Sequence, residues 1–280
     1  MSIFITTSAS MFSTLNSRRV IGIVGLTLLA AACRGRVDRR VARVLDWERE
    51  PTASNVARIE ESLADEDGSV RASALAALVR LGVPGTSERA RPALGDPDPA
   101  VRAAAAECLL DLRATEAVPD LVRVAVTDPD WRSRRVAVQA VGELGTDDSA
   151  RAVLPALGDP ASQVRLAAVQ AIARLGPAGA LEALARLAGE DASWAVRAAA
   201  VDAIGRAAVG EAYAPLDAAS RDPNEFVRAA AASALRELRR RGVPQPEEAT
   251  PRDASKVPGS APVSRPPAAR PTGPGAGGPG

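Results

Sequence analysis

The stretch LGDPASQVRLAAVQAIARLG, residues 157–176, decides the fold of this chain. It contains an aspartate, Asp159, six residues before an arginine, Arg165, and this pair occurs six times along the sequence. The recurring arginines are separated by 31 or 32 residues, and they are Arg71, Arg102, Arg134, Arg165, Arg197 and Arg228. Their aspartates are Asp65, Asp96, Asp128, Asp159, Asp191 and Asp222. A fixed period of this size is typical of stacked-repeat proteins, in which each unit contacts only its neighbours.

The apolar residues around each arginine have the spacing of one face of a helix. Counting from the arginine, they stand at positions −1, +3, +7 and +10, as in Val164, Ala168, Ile172 and Leu175. Position +6 is alanine in five units and Cys108 in the remaining one. Small residues at this position suit helices that approach one another closely.

The helix boundaries are marked as well. The residue four before the arginine is a good N-cap in five units, and the six residues are Asp67, Asp98, Asp130, Ala161, Ser193 and Asn224. Pro99 stands at a first helical position, where its missing N–H costs nothing. The glycines predicted to end helices are Gly82, Gly145 and Gly176.

A second apolar stretch precedes the aspartate, for example residues 117–126 and 180–187. Each unit is therefore predicted to be two antiparallel helices joined by a turn that contains the aspartate. Prolines inside the first helix are expected to bend it, and these are Pro92, Pro155 and Pro215.

This unit resembles the short bacterial HEAT-like repeats, a class also found in phycobilisome-lyase-type proteins. The shared pattern, L-x-D-x-x-x-x-V-R-x-x-A-x-x-A-L-x-x-L-G, is carried best by residues 94–112 and 157–176, and the resemblance covers residues 52–240. It implies an all-α solenoid of about six two-helix repeats, with the aspartates and arginines as positions of the repeat architecture. It implies little about function, because this repeat is a scaffold with many uses.

The first 33 residues have the organisation of a secretory signal. Arg18 and Arg19 precede an apolar run of about 13 residues, whereas a membrane-spanning helix needs about 20. The run ends in LAAAC, residues 29–33, which resembles a bacterial lipoprotein signal and implies lipidation of Cys33. The alternatives are a plain secretory signal and an unmodified thiol. Met11 is an alternative start to Met1.

The chain divides into four predicted parts. Residues 1–33 are the signal, 34–51 an amphipathic helix that caps the stack, 52–241 the solenoid and 242–280 a disordered tail. The tail contains ten prolines and seven glycines among small polar residues. Such a composition does not bury enough apolar surface to order itself.

The sequence lacks the residue types of common catalytic and metal centres. It has no histidine and only two cysteines, and no Gly-rich phosphate loop follows a strand pattern. We therefore predict no catalytic, cofactor-binding or metal-binding residues and no small-molecule substrate. The formal net charge is +1, and outer positions of the second helices are acidic or neutral as often as basic, so nucleic-acid binding is not expected. Cys108 is predicted to be an inert core thiol.

The aspartates and arginines have a structural and a functional interpretation. In the structural one, which we favour, each aspartate accepts hydrogen bonds from its own arginine, from N–H groups of the turn, or from the next repeat's arginine. In the functional one, the charges form a ladder that binds a partner. Trp131 and Trp194 stand three residues before the arginine, where they would either contact a partner or pack against a neighbouring turn.

These observations favour a non-catalytic protein–protein interaction scaffold, held at a bacterial membrane through Cys33, with the second helices forming a concave binding surface. The predicted location is the cell envelope, on the periplasmic or outer face, and secretion without an anchor is the alternative. The resemblance implies a second function, that of a chromophore-lyase-like enzyme or accessory factor. That function would need a tetrapyrrole and a phycobiliprotein in the cytoplasm, which conflicts with an export signal.

Overall fold

The computed structural model describes residues 39–176, 179–207 and 209–245, and these residues form helices, turns and loops without strands. The α-helices are α1 (Arg39–Arg49), α2 (Ala53–Glu61), α3 (Gly68–Arg80), α4 (Thr86–Ala93), α5 (Pro99–Asp111), α6 (Val118–Thr127), α7 (Trp131–Leu144), α8 (Asp147–Ala152), α9 (Ser162–Leu175), α10 (Ala180–Glu190), α11 (Trp194–Ala207), α12 (Tyr213–Ala219) and α13 (Glu225–Arg240). From α2 onward, even-numbered helices are the first helices of six units and odd-numbered helices are the second helices. The predicted all-α solenoid of about six two-helix repeats is confirmed.

Side-chain caps and glycines set the ends of the second helices. Asp67 accepts the backbone N–H of Ser69 at 2.8 Å at the start of α3. Equivalent caps begin three further second helices, and they are Asp98, Asp130 and Asn224. Gly82 and Gly176 follow their helices in left-handed conformations, with φ of 64° and 66°. Gly145 ends α7 in an extended conformation instead, because the chain enters α8 two residues later.

The three prolines expected to bend first helices occupy different places in the structure. The helix α4 has eight residues and contains Pro92 next to its last residue, and α12 has seven residues with Pro215 at its third position. Pro155 lies beyond the six-residue α8, in a 3-10 segment, so it does not bend an α-helix as expected. First helices without an interior proline, α10 for example, reach 11 residues. The missing N–H of Pro92 removes a hydrogen bond from the last turn of α4. Pro215 stands in the first turn of α12, where backbone N–H groups have no partner inside the helix, so it costs no such bond.

The second helices form the centre of the stack. Buried residues before and after the arginine are Val70, Val101, Val164, Val196, Val227, Ala74, Ala105, Ala137, Ala168, Ala200 and Ala231. A Cβ atom added at Gly142 of α7 would lie 2.7 Å from the Cβ of Ala171 in α9, and one at Gly205 would lie 2.6 Å from that of Ala234. Second helices of neighbouring units therefore meet almost backbone to backbone, through glycine and alanine.

Helix α1 covers the first unit. It spans residues 39–49, inside the segment predicted as a cap, and its Val44 is fully buried. Val44 packs in one cluster with Ile59 of α2 and with Val70 and Leu78 of α3. An apolar face that would end the stack is thus covered by a helix that does not belong to the repeat period.

The chain continues to pack after α13. Gly242 takes a left-handed φ of 69°, Val243 packs against the core, and the hydroxyl of Tyr213 donates to the main-chain oxygen of Val243 at 2.9 Å. Val243 therefore belongs to the packed stack, although it lies within the segment that the sequence predicts to be a disordered tail. The rest of that tail and the signal at residues 1–33 lie outside the described residues. None of the helices described here is both long and apolar enough to span a membrane.

Candidate functional site: the charged ladder and an aromatic surface

Five arginines each bind the aspartate of the following unit through two hydrogen bonds. The guanidinium donates from Nε to one carboxylate oxygen and from Nη2 to the other, at distances of 2.6–2.9 Å. The pairs are Arg71–Asp96, Arg102–Asp128, Arg134–Asp159, Arg165–Asp191 and Arg197–Asp222. Parallel N–H···O bonds of this kind are a strong and geometrically specific pairing. They join each unit to the next at the turn between its two helices.

The same arginine also closes its own turn. Nη1 of Arg165 donates to the main-chain oxygens of Asp159 at 2.8 Å and Pro160 at 3.2 Å. The carboxylate of Asp159 accepts the backbone N–H of Ala161 at 2.8 Å, as expected for a turn, and binds Arg134 of the preceding unit. The expectation that this carboxylate accepts from its own arginine or from the next repeat's arginine is wrong. The side chain of Asp159 pairs backward along the chain with Arg134, and the arginine of its own unit, Arg165, contacts Asp159 only at the main-chain oxygen.

Burial and pairing act in opposite directions on the aspartates. The side chain of Asp191 is 2% exposed and that of its partner Arg165 is 15% exposed. Burial raises the pKa of Asp191, but hydrogen bonds from Arg165 and from the backbone N–H of Ser193, with the nearby charge of Arg197, bring its pKa below the ordinary value. The bond to Asp191 in turn raises the pKa of Arg165. Both groups therefore stay ionised, and removal of either would leave a buried charge without its partner.

The two ends of the ladder differ. At the N-terminal end, Arg40 of α1 donates from Nη1 to Asp65 at 3.0 Å, and so takes the place of the arginine that a preceding unit would supply. At the C-terminal end, Nη1 of Arg228 donates to the main-chain oxygens of Asp222 and Pro223, both at 2.8 Å. Within residues 39–245, as far as the structure describes them, no carboxylate binds Nε or Nη2 of Arg228. Among the residues that the structure describes, the ladder is closed at its N-terminal end and open at its C-terminal end.

The two tryptophans at equivalent repeat positions differ in exposure. Trp131, the first residue of α7, is half-buried against the core, and the guanidinium of Arg132 lies 4.8 Å from its ring centroid. Trp194, the first residue of α11, is 47% exposed. Its ring stacks on that of Phe226 in α13, with 5.1 Å between centroids and 29° between planes. Trp131 thus contributes to packing, whereas Trp194 presents much of its ring to solvent.

Phe226 is a surface residue that the sequence-based prediction missed. Its side chain is 57% exposed, more than any other large hydrophobic residue that the structure describes. The equivalent residues of the other units are small or polar, and they are Ser69, Ala100, Arg132, Gln163 and Ala195. A phenylalanine at this solvent position was therefore a usable signal. We call the pair Trp194 and Phe226 the aromatic surface.

Charges at the carboxyl ends of the second helices neutralise one another. Arg174 forms an ion pair with Glu143 of the preceding unit, with 2.5 Å between Nη1 and Oε1. Hydrogen bonds from Arg240 and Arg241 lower the pKa of Glu237 to about 2. A shallow depression of about 460 Å³ between α11 and α13 is lined by charges of both signs. These paired charges are unlike the basic stripe that nucleic-acid binding requires.

The described residues offer neither a reactive thiol nor a metal site. Cys108 is 3% exposed, and burial, reinforced by the negative charge of Asp111, raises the pKa of its thiol to about 12. It is therefore protonated at neutral pH and is a poor nucleophile. Cys33 lies outside the described residues. Among the described cysteine, aspartate and glutamate residues, no group is arranged to hold a metal ion.

Solved structures share the fold at low sequence identity. An engineered protein matches with a TM-score of 0.52 and 20% identity, covering 66% of this chain and 98% of its own. YibA of Escherichia coli matches with a TM-score of 0.52 and 17% identity, covering 72% of this chain and 76% of its own. The CpcE–CpcF complex of phycocyanin lyase from Nostoc sp. gives a TM-score of 0.43 at 23% identity, covering 76% of this chain and 86% of its own. These likenesses concern the fold alone.

The sequence itself identifies the family. No curated protein matches the chain. HEAT repeats match it in five overlapping segments, which are residues 56–141, 87–161, 118–205, 150–236 and 187–250. Together these segments span residues 56–250, which is more than half of the sequence, and they contain all six second helices, while α1 lies outside them. The chain therefore belongs to the HEAT-repeat family.

Proposed function

We propose that this protein is a non-catalytic scaffold that binds a partner protein through the aromatic surface while a lipid on Cys33 holds it at a bacterial membrane. The observation that carries the binding role is the stacked pair Trp194–Phe226, whose rings are about half exposed and which contains the two most exposed large hydrophobic side chains that the structure describes. The partner is expected to supply an apolar or aromatic side chain that covers these rings.

The placement of the pair suits a binding surface. Exposed tryptophan and aromatic residues contribute large apolar area and are enriched among the residues that dominate binding energy. Trp194 and Phe226 lie at the N-terminal ends of α11 and α13, two second helices that pack closely through Gly205 and Ala234. Rings carried on two packed helices are held in position before a partner arrives, which lowers the entropy lost on binding.

The ladder supports a scaffold role in a different way. Its side chains are mostly covered and join neighbouring units, as the 2% exposure of Asp191 illustrates. They are therefore poorly placed to contact a partner directly. What they contribute is a fixed rotation between units, which keeps surface residues of different units, such as Trp194 and Phe226, in register.

The anchor would place the aromatic surface at a distance from the membrane. Cys33 stands six residues before the start of α1, which covers the first unit. The aromatic surface lies in the fifth and sixth units. Neighbouring helices pack about 8–10 Å apart, so the four steps from the first unit to the fifth correspond to roughly 32–40 Å. A lipidated Cys33 would thus present the partner-binding end of the stack away from the bilayer.

Photo-crosslinking in the native host tests this proposal. A photoreactive amino acid is placed at Phe226, and in a matched protein at Val126, a residue of α6 that is 40% exposed on a different helix layer. We expect a discrete crosslinked protein from position 226, found in the membrane fraction, and none from position 126. Replacing Trp194 with alanine should abolish the adduct at 226 without changing the helical circular dichroism. Equal crosslinking at 226 and 126, or an adduct that survives Trp194→Ala, would refute the role of the aromatic surface.

A further inference from the structure

The guanidinium of Arg228, at the C-terminal end of the ladder, has the geometry of a carboxylate-binding site. In five units Nε and Nη2 of the arginine hold a carboxylate, and in the sixth the equivalent arginine, Arg228, is exposed and uses only Nη1 among the described residues. Its Nη1 contacts match those of Arg165, with two main-chain oxygens of its own turn as acceptors. The guanidinium is therefore already oriented as in the complete pairs. We infer that Arg228 binds the carboxylate of Asp253, which lies in the chain's own C-terminal tail.

The spacing of the repeat points to Asp253. It lies 31 residues after Asp222, and the aspartates of the ladder are spaced by 31 or 32 residues. It also lies 25 residues after Arg228, the same separation as in the pairs Arg71–Asp96, Arg134–Asp159 and Arg197–Asp222. The two nearest acidic residues of the tail, Glu247 and Glu248, are out of this phase.

The residues around Asp253 repeat those of an observed turn. Asp253-Ala254-Ser255 has the same sequence as Asp191-Ala192-Ser193. In that turn the carboxylate of Asp191 accepts the backbone N–H of Ser193 at 2.8 Å and binds Arg165 of the preceding unit. The segment 253–255 therefore carries both the acceptor and the local sequence of a seventh ladder turn.

The chain is long enough to reach. Val243 packs against the core three residues after the end of α13. About 20 Å separates Arg228 from Arg241 along the chain, at the helical rise of 1.5 Å per residue. The ten residues from Val243 to Asp253 span at most about 33 Å when extended. They would run back along the last unit, in the direction that first helices take in the other units.

A second copy of the chain is a poorer occupant of this site. In end-to-end stacking, the carboxylate offered to Arg228 would be Asp65 of the next molecule. Asp65 is already bound by Arg40 of α1, and α1 covers the face that would stack. The tail aspartate meets no such obstacle.

The amide of Ser255 reports on this contact. If Asp253 forms the ladder turn, its carboxylate accepts the Ser255 N–H, and the solvent-exchange rate of that amide falls. An exposed ion pair is worth up to about 1 kcal/mol, which corresponds to a two- to fivefold slowing. The rate is measured by NMR on the full-length protein and on Arg228→Ala. The matched control is Arg236→Ala, which removes an exposed arginine from the same helix, α13.

The outcomes separate the possible occupants. We expect Arg228→Ala to restore the exchange rate of an unprotected amide, Arg236→Ala to leave the slowing intact, and the exchanged pair Arg228→Asp with Asp253→Arg to recover part of it. Asp253→Asn should remove the slowing, whereas Glu248→Gln should not. Equal rates in wild type and Arg228→Ala would overturn the inference. Slowing that depends on protein concentration would overturn it in favour of contact between two copies. The result is independent of partner binding at Trp194 and Phe226, so either proposal can fail alone.

Discussion

Arg165 and Asp191 belong to consecutive repeats, and their side chains are joined by two hydrogen bonds of 2.7 and 2.8 Å. Through Nη1 the same arginine holds the main-chain oxygen of Asp159, at the turn of its own unit. One guanidinium therefore links two successive turns. Because stability in a repeat array is approximately a sum of unit terms and neighbour terms, this contact belongs to the neighbour term.

A double-mutant cycle should show that Arg165 is energetically coupled to Asp191 and only weakly coupled to Asp159. We expect Arg165→Ala to destabilise the protein by about 3 kcal/mol, near the lower end for buried ion pairs because the guanidinium keeps some contact with solvent. The coupling energy with Asp191→Ala should be about 2 kcal/mol, and that with Asp159→Ala below about 0.5 kcal/mol. Chemical denaturation at similar m-values measures these energies.

Arg228→Ala is the matched end-of-stack control for this cycle. It should cost less than Arg165→Ala, because Arg228 is exposed and has no carboxylate partner within the described residues. Stronger coupling of Arg165 to Asp159 than to Asp191 would contradict the observed direction of pairing. Stability unchanged in both arginine variants would show that the ladder is not structural.

The fold can be predicted from the sequence because the signals for its helices are local and are repeated six times. Helical spacing and the capping residue Asp67 are read within one unit, and the in-phase copies reinforce each other. The direction of ladder pairing is not local. The offsets from Arg165 to Asp159 and to Asp191 are both fixed by the period, so the sequence alone does not distinguish them. The rotation between units decides which carboxylate the guanidinium reaches.

The exposure of the aromatic surface, like the direction of ladder pairing, depends on contacts between units that the sequence of one unit does not reveal. Trp131 and Trp194 occupy equivalent positions, and nothing within their own units predicts that one is half-buried and the other 47% exposed. Each ring meets different surroundings: Arg132 lies over Trp131, and Phe226 from the next unit stacks on Trp194. Exposure of a surface residue in a stacked protein is thus a property of two units together, whereas its helical position is a property of one.

Replacing Cys33 with alanine should release the protein from the membrane. The sequence LAAAC at residues 29–33 resembles a lipoprotein signal, and the lipid on the cysteine would provide the attachment. We expect wild-type protein in the membrane fraction and Cys33→Ala in the soluble fraction, or unprocessed. Cys108→Ala is the matched control, since that buried thiol should have no effect on location. Wild-type protein found in the cytosol with residues 1–33 still attached would contradict the predicted localisation.

Two truncations should separate the packed residues from the rest of the tail. Deleting residues 246–280 should shift the thermal midpoint by no more than about 4 °C, because an exposed ion pair such as the one inferred for Arg228 contributes at most about 1 kcal/mol. Deleting residues 242–280 should lower it further, because Val243 packs on the core and accepts a hydrogen bond from Tyr213. Differential scanning calorimetry compares the two. A large drop from the shorter deletion would mean that the tail docks extensively on the solenoid.

Stability should be nearly constant between pH 5 and 8 and should fall below about pH 4. The chain has no histidine to titrate in the upper range. Burial raises the pKa of Asp159, but Arg134 and the Ala161 N–H outweigh it and hold the net pKa below the ordinary value, as happens for Asp96, Asp128 and Asp191. As the pH falls, these aspartates therefore bind protons earlier in the unfolded chain, where the pKa of an aspartate is about 3.9, than in the folded protein. The stabilisation is present above that pH and is lost as the pH falls through the folded-state values.

The variant Asp159→Asn separates the ladder from other carboxylates in this acid transition. Asparagine does not titrate, so the variant should be less stable than wild type at pH 7 but should lose less stability between pH 5 and pH 3. The exposed acid Glu182 of α10 provides the control, since Glu182→Gln removes a carboxylate that makes no ladder contact. Urea denaturation midpoints across this range give the comparison. If Asp159→Asn and wild type lose the same stability on acidification, protonation of Asp159 does not contribute to acid unfolding.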